Sequence, residues 1–250
     1  MARCLLGDGM ITLQNITVSY QRHPAIHHVS GEISAGSLTA LVGPNGGGKS
    51  TLLKTLKGLL KIEEGRIDYH GVALSDISFM PQAHQLEFQF PVSVEELVLL
   101  GNWRRARLCG HMHKDASHQL EHALEAVGLG GFGSRRINTL SVGQLQRALF
   151  ARAIIEESKM ILLDEPFSAI DSNTTDALWK IIHQWQKQGR TVVIAMHDLA
   201  RVKEHCPNTV LIAREVIGWG ETSKVLTAKN LAHAKTMVEA WDDHAPACVA

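Results

Sequence analysis

Residues Gly43 to Ser50 read GPNGGGKS, between an apolar run, SLTALV (37–42), and a segment of helical period, TLLKTLKGLL (51–60). Few local patterns restrict a fold so strongly. The stretch fits GxxxxGK[ST] in the strand, loop, helix context that such a loop requires. Glycines let the backbone approach a phosphate closely, while amide N–H groups and the start of the next helix supply positive potential. Gly43, Pro44, Asn45, Gly46, Gly47 and Gly48 then form a cradle. Lys49 is placed to contact β/γ oxygens, Ser50 to hold Mg²⁺, and Thr51 to add a hydrogen bond to the α-phosphate.

The rest of the chain supplies layers for such a loop. KMILLDE (159–165) and RTVVIAMH (190–197) are nearly all apolar, as strands become when helices cover both faces of a parallel sheet. Helical segments VGQLQRALFARAIIEES (142–158) and TTDALWKIIHQWQKQG (174–189) precede them, and DLARVKEH follows as a short helix. Residues 11–33 alternate apolar and polar, which predicts antiparallel strands, and EEGRIDYHG (63–71) predicts a further hairpin. VSVEELVLLG (92–101) and DASHQLEHALEAVGL (115–129) are helical, around a basic stretch, RRARLCGHMHK, and read as an inserted helical subdomain. VLTAKNLAHAKTMVEAW predicts one or two helices near the end. The expected organisation is a single domain over 10–250: a core with an antiparallel part (about 10–90 and 159–230) and a helical subdomain (about 91–158). Residues 1–9 read as a dispensable leader or as sequence ahead of a true start at Met10.

Composition excludes several partners. Lys plus Arg and Asp plus Glu are 25 each, so no basic excess points to nucleic acid. No run approaches the roughly 20 apolar residues of a membrane span. The four scattered cysteines lack CxxC spacing, which suits a reducing compartment.

Two further constellations carry chemistry. Asp164 and Glu165 end one apolar strand and His197 ends the next, so all three are expected at the carboxyl edge of the sheet, where open α/β folds bind ligands. Ser141 is a good N-cap with Gln144 at its N3 position, so SVGQ can form a capping box. A capped helix explains Ser141 and Gln144 but not Gly143, since glycine in a first turn costs helix stability without a packing or ligand role.

Leu140 to Arg147, LSVGQLQR, resembles the signature motif of ATP-binding cassette (ABC) ATPases, usually LSGGQxQR. The resemblance covers nearly all of residues 11–230, with motifs in family order. It implies an α/β P-loop NTPase fold of the ABC type: a mostly parallel sheet flanked by helices, an N-terminal antiparallel β subdomain and an inserted helical subdomain. By the same resemblance Tyr20 stacks on adenine, and Gln82 in FMPQ senses magnesium and links the nucleotide site to a membrane partner. Asp164 binds Mg²⁺ together with Ser50 and Gln82; Glu165 polarises the attacking water; His197 is the switch histidine. Phe167 to Asp171 resembles the D-loop, with Ile170 where Leu is common. Ser141, Gly143 and Gln144 belong to the signature that faces the nucleotide of another subunit. Val142 departs from the family's first signature glycine, and a β-branched side chain at a crowded helix start predicts weakened activity or a small rearrangement.

The resemblance further implies an ATPase using ATP and Mg²⁺, a head-to-tail dimer with a second copy, and separate transmembrane permease subunits. FPVSVEELVLLG, DEPFSAID and VLTAKNL resemble the metal-ion importers for zinc or manganese. Such a system includes a periplasmic or extracellular metal-binding protein, and its ATPase sits peripherally on the cytoplasmic side of the bacterial inner membrane. Iron-chelate or cobalamin import, efflux, and non-transport ABC ATPases are the alternatives.

Two surface features stay open. Arg104, Arg105 and Arg107 read as a solvated face or as a contact to anionic lipid or acidic permease loops. Of the 14 histidines, His111, His113, His118 and His122 crowd the helical insert beside Cys109, and His244 and Cys248 lie in the tail. Polar surface is the preferred reading, with metal binding the alternative.

Overall fold

The computed structural model describes residues 9–20, 23–83, 91–102 and 116–239. Strands β3 (Leu38–Val42), β5 (Ile77–Met80), β6 (Met160–Asp164), β7 (Thr191–Ala195), β8 (Asn208–Ala213) and β9 (Glu215–Glu221) form one six-stranded sheet, in the order β5-β6-β7-β3-β8-β9. All neighbours pair in parallel except β8 with β9. Strands β1 (Gly9–Tyr20), β2 (His23–Ser34) and β4 (Glu64–Asp68) form a separate antiparallel sheet, in the order β2-β1-β4.

The alternation of side chains divides the core in two. On β6, Ile161 and Leu163 join one apolar cluster, while Met160 and Leu162 join the other; β7 splits likewise between Val192 with Ile194 and Val193 with Ala195. The first cluster takes in α2 (Val94–Leu99), α3 (Ala116–Ala126), α4 (Val142–Glu156) and α5 (Ser172–Lys187). The second takes in α1 (Lys49–Leu56) and the antiparallel sheet through Ile11, Leu13, Ile16 and Val18. Each fully buried Leu or Ile contributes roughly 1.5–3 kcal/mol, and a strand covered on both faces collects that on every residue. This is why β3, β6 and β7 are buried throughout.

Aromatic residues pack against one another within the first cluster. Phe150 of α4 stacks on Trp185 of α5 with ring centroids 5.2 Å apart, and Trp179 is buried against Phe167 at 5.0 Å. The chain closes with α6 (Leu199–His205), α7 (Thr222–Val225) and α8 (Ala228–Glu239).

One expectation changes. Residues 63–71 do not make a hairpin of their own: β4 pairs with β1, Thr12 opposite Asp68. Beyond it His70 and Gly71 both take positive φ, and the chain turns away to enter the other sheet as β5. The β8–β9 hairpin adds to the expected strands, and its antiparallel pair leaves the large sheet mostly parallel, as expected. No helix among the described residues is long and apolar enough to cross a membrane.

Candidate functional site

Strand register brings the sequence-predicted residues together. Ala195 of β7 pairs with Leu41 of β3 on one side and with Asp164 of β6 on the other, so three strand ends stop at one level. The loop after β3 is therefore only two strand spacings, roughly 10 Å, from Asp164 and Glu165, a gap a lysine side chain can cross.

The loop itself is built tightly. A Cβ at Gly43 would run into the Ile212 carbonyl oxygen, and one at Gly48 into the Ile26 side chain; Gly48 also has φ 94°. Only glycine serves at either place. Gly47 is pinned between strands, its carbonyl accepting from the Arg214 N–H at 2.8 Å. Helix α1 begins at Lys49 with no side-chain cap. Lys49 is buried, and its Nζ donates to the carbonyl oxygens of Gly43 at 2.8 Å and Pro44 at 3.0 Å. Burial lowers its pKa below the ordinary lysine value, and the nearby carboxylates of Glu165 and Asp164 oppose that. An anion with stronger acceptors than two loop carbonyls would draw this ammonium to itself.

Asp164 is fully buried. Its Oδ1 accepts from Gln82 Nε2 at 3.3 Å, whereas Oδ2 has no hydrogen-bond partner. Burial raises its pKa above the usual carboxylate range, and Ser50 and Gln82 partly offset this. The Ser50 hydroxyl is thus close enough to favour the charged form, although Oδ2 itself stays unbonded. An orphaned carboxylate oxygen beside a hydroxyl and an amide is a donor set of hard oxygens. It fits a divalent cation such as Mg²⁺, with Ser50, Gln82 and Asp164 around it.

Glu165 follows with φ 47°, a left-handed conformation rare for a side chain of this size. Its N–H donates to the Ala195 carbonyl at 3.0 Å, and its Oε2 lies 3.8 Å from His197 Nδ1. His197 is 73% exposed at the end of β7. A cleft of about 260 Å³ opens beside the pair, lined among others by Phe167, Ser168 and Arg201.

Ser141, Gly143 and Gln144 lie at the head of α4. The capping box is present: the Gln144 N–H donates to Ser141 Oγ at 3.2 Å, and the Ser141 N–H donates to Gln144 Oε1 at 3.0 Å. A Cβ on Gly143 would collide with the Ala169 carbonyl oxygen, so this glycine has a packing role within one chain. Val142 is 47% exposed, and the crowding expected at its position falls on Gly143 instead. Tyr20, at the end of β1, is 47% exposed and open to stack against a planar group.

Gln146 has no role assigned from sequence, yet it ties the site together. It is fully buried, its Oε1 accepting from the Ala83 N–H at 3.0 Å and its Nε2 donating to the Glu165 carbonyl at 3.2 Å. A signal for it exists in the sequence. Gln146 lies three and four residues before Leu149 and Phe150, which puts a polar side chain on the apolar face of a helix. Arg104, Arg105, Arg107, Cys109, His111, His113, His244 and Cys248 lie outside the described residues. His118 and His122 are exposed on α3, and no group of three or more metal-ligating side chains occurs among the described residues.

Comparison with known proteins places the chain in a family. The family model described as "ABC transporter" matches residues 26–168. The manganese transport system ATP-binding protein MntA of Synechocystis sp. is 33% identical over 228 residues, covering 88% of each chain. Among solved structures, an inward-facing metal-chelate type ABC transporter is 30% identical with TM-score 0.75, covering 90% of this chain and 89% of that one. A dimeric ATP-binding cassette in a post-hydrolysis state, bound to ADP and Pi, is 26% identical with TM-score 0.74, covering 85% and 99%.

Proposed function

This chain belongs to the ABC transporter family, and on that premise we propose that it hydrolyses ATP to power import of a divalent metal ion, manganese or zinc. The ATPase reading is carried by one observation: buried Asp164 presents an unpartnered oxygen on the sheet edge beside Lys49. The cargo reading rests on likeness to a manganese system and to a metal-chelate type transporter. The second of these also favours a chelated-metal cargo as the nearest alternative.

In this reading ATP lies along the Gly43–Thr51 loop with Tyr20 against its adenine. Lys49 leaves the Gly43 and Pro44 carbonyls for the β/γ oxygens, where its charge opposes the negative charge that builds up in the transition state. Ser50, Gln82 and Asp164 hold Mg²⁺. The bound cation neutralises phosphate charge and fixes the phosphate's orientation. Glu165 accepts a hydrogen bond from the attacking water and aligns it with the γ-phosphorus; His197, 3.8 Å from that carboxylate, holds the phosphate side of the same site. Ser141, Gly143 and Gln144 serve the nucleotide of a second, head-to-tail copy. ATP adds contacts across that interface and favours closure, and hydrolysis removes them. Separate permease subunits in the membrane receive the movement from the cytoplasmic side, and an external metal-binding protein delivers the cargo.

Two measurements test this. Glu165→Gln is expected to bind ATP, lose turnover and accumulate as a closed dimer on size-exclusion chromatography; wild-type turnover would falsify the assignment. A strain lacking the protein is expected to grow poorly under chelation and to recover with manganese or zinc. Recovery with iron alone moves the cargo to a chelated iron.

A further inference from the structure

We infer that Gln146 is a positioning residue for hydrolysis: it fixes the backbone of Glu165 and ties it to the segment that carries Gln82. The inference deepens the proposed ATPase reading and rests on Glu165 orienting water.

Both partners of the Gln146 amide are unambiguous. The Ala83 N–H can only donate and the Glu165 carbonyl can only accept, so the amide has one orientation that satisfies both. Ala83 is the neighbour of Gln82, whose own amide donates to Asp164 Oδ1. A continuous hydrogen-bonded path therefore runs from Asp164 through Gln82 and Ala83 to Gln146 and on to Glu165. Its two ends are adjacent residues of one strand end.

Packing alone does not account for a glutamine here. On this face of α4, Leu149, Phe150 and Ala153 are all buried, and a leucine would fill similar space without desolvating an amide. What the amide supplies is a restraint on a strained residue. Glu165 sits at φ 47°, and hydrogen bonds clamp both of its backbone polar groups. Its N–H donates to Ala195, and its carbonyl accepts from Gln146 and from the Ser168 N–H at 3.2 Å. A left-handed non-glycine persists only when its surroundings over-determine it. Without the Gln146 donor, the Glu165 carbonyl keeps only the Ser168 N–H at 3.2 Å, and the backbone that places the carboxylate beside His197 is held less firmly.

The test compares full-length variants in ATP turnover, ATP affinity and melting temperature. Gln146→Leu removes both hydrogen bonds at similar volume. It is expected to lower kcat about 10–100-fold with KM and ATP affinity little changed, since misplacement by an ångström or so can cost about a hundredfold. Gln146→Glu keeps an acceptor for Ala83 and loses the donor to Glu165. Its kcat, relative to wild type, is expected to rise as pH falls, because protonating the introduced carboxyl restores a donor; burial holds that titration above the usual carboxylate range.

Glu165→Gln separates this inference from the reading beneath it. If that variant keeps wild-type turnover, Glu165 is not the water-orienting group and the ATPase reading fails with the inference. If it is inactive while Gln146→Leu turns over within about twofold of wild type, only the positioning role fails. In the Glu165→Gln background, Gln146→Leu is expected to have no further effect, since it acts through the residue already removed. An equal loss there, or a flat relative pH profile for Gln146→Glu, also overturns the inference. Should Gln146→Leu not fold, the pH profile of Gln146→Glu decides.

Discussion

Helices α1 and α4 both have glycine at or near their first turn, and they begin in opposite ways. At α1 no side chain caps the helix, and Lys49 occupies itself with two carbonyls of its own loop. At α4 Ser141 and Gln144 cap each other reciprocally. The first N-terminus leaves backbone donors open for an anion of its own chain; the second has spent two of them and is stable unaided. One start is built for a ligand and the other for rigidity.

The largest expected break in this contrast is at the open end. Lys49→Ala is predicted to cut turnover about a thousandfold, the scale of losing a principal charge-stabilising donor, while α4 and the overall melting temperature change little. A turnover assay beside a thermal melt reads both.

Asp164→Asn is predicted to lower turnover at least about a hundredfold and yet to raise the melting temperature of the ligand-free protein, by ~2–4 °C per kcal/mol for a chain of this size. The sign follows from the raised pKa. A carboxyl that binds its proton more tightly when folded contributes stability that is complete below its unfolded value of 3.8 and is lost as pH rises through the higher folded value. At neutral pH the wild type carries that penalty and the amide does not. The stability difference between the two should shrink as pH is lowered through the folded pKa, and a constant difference would contradict the cause given.

At the capped end the effects are smaller and structural. Gly143→Ala drives a Cβ into the Ala169 carbonyl oxygen, a backbone atom that cannot step aside, and should destabilise by about 1–3 kcal/mol in a denaturant melt. Ser141→Ala removes half the capping box and should cost about 1 kcal/mol. Smallest in stability is Val142→Gly, because the valine is half exposed. It is expected to raise turnover modestly by restoring the family's glycine, and an unchanged rate would remove any cost from the valine.

Much of this was legible beforehand because it is local. The GPNGGGKS loop, the two apolar strands ending in Asp164 and His197, and the SVGQ cap each specify a strand end, a turn or a helix start from neighbouring residues alone. Their periodicity and turn chemistry act within about ten residues, so one sequence suffices to see them. Where the sequence was misread, the partner lay far away. Residues 64–68 found β1 rather than a hairpin mate, 47 and more residues back in the chain. That Gly143 packs against the Ala169 carbonyl, and that Val142 faces outward rather than into a crowded turn, likewise depend on packing that neighbouring residues do not specify.

The amino-acid sequence determined which chemistry is available: a phosphate loop, carboxylates at a sheet edge, a self-capping helix. Only the tertiary structure decided how these act on one another. Strand order put Asp164 two strands from Lys49, and long-range hydrogen bonds ran through Gln146 to set the backbone of Glu165. Local conformation is written in short-range sterics and hydrogen bonding. Orientation between distant segments comes from packing, which no stretch of sequence contains by itself.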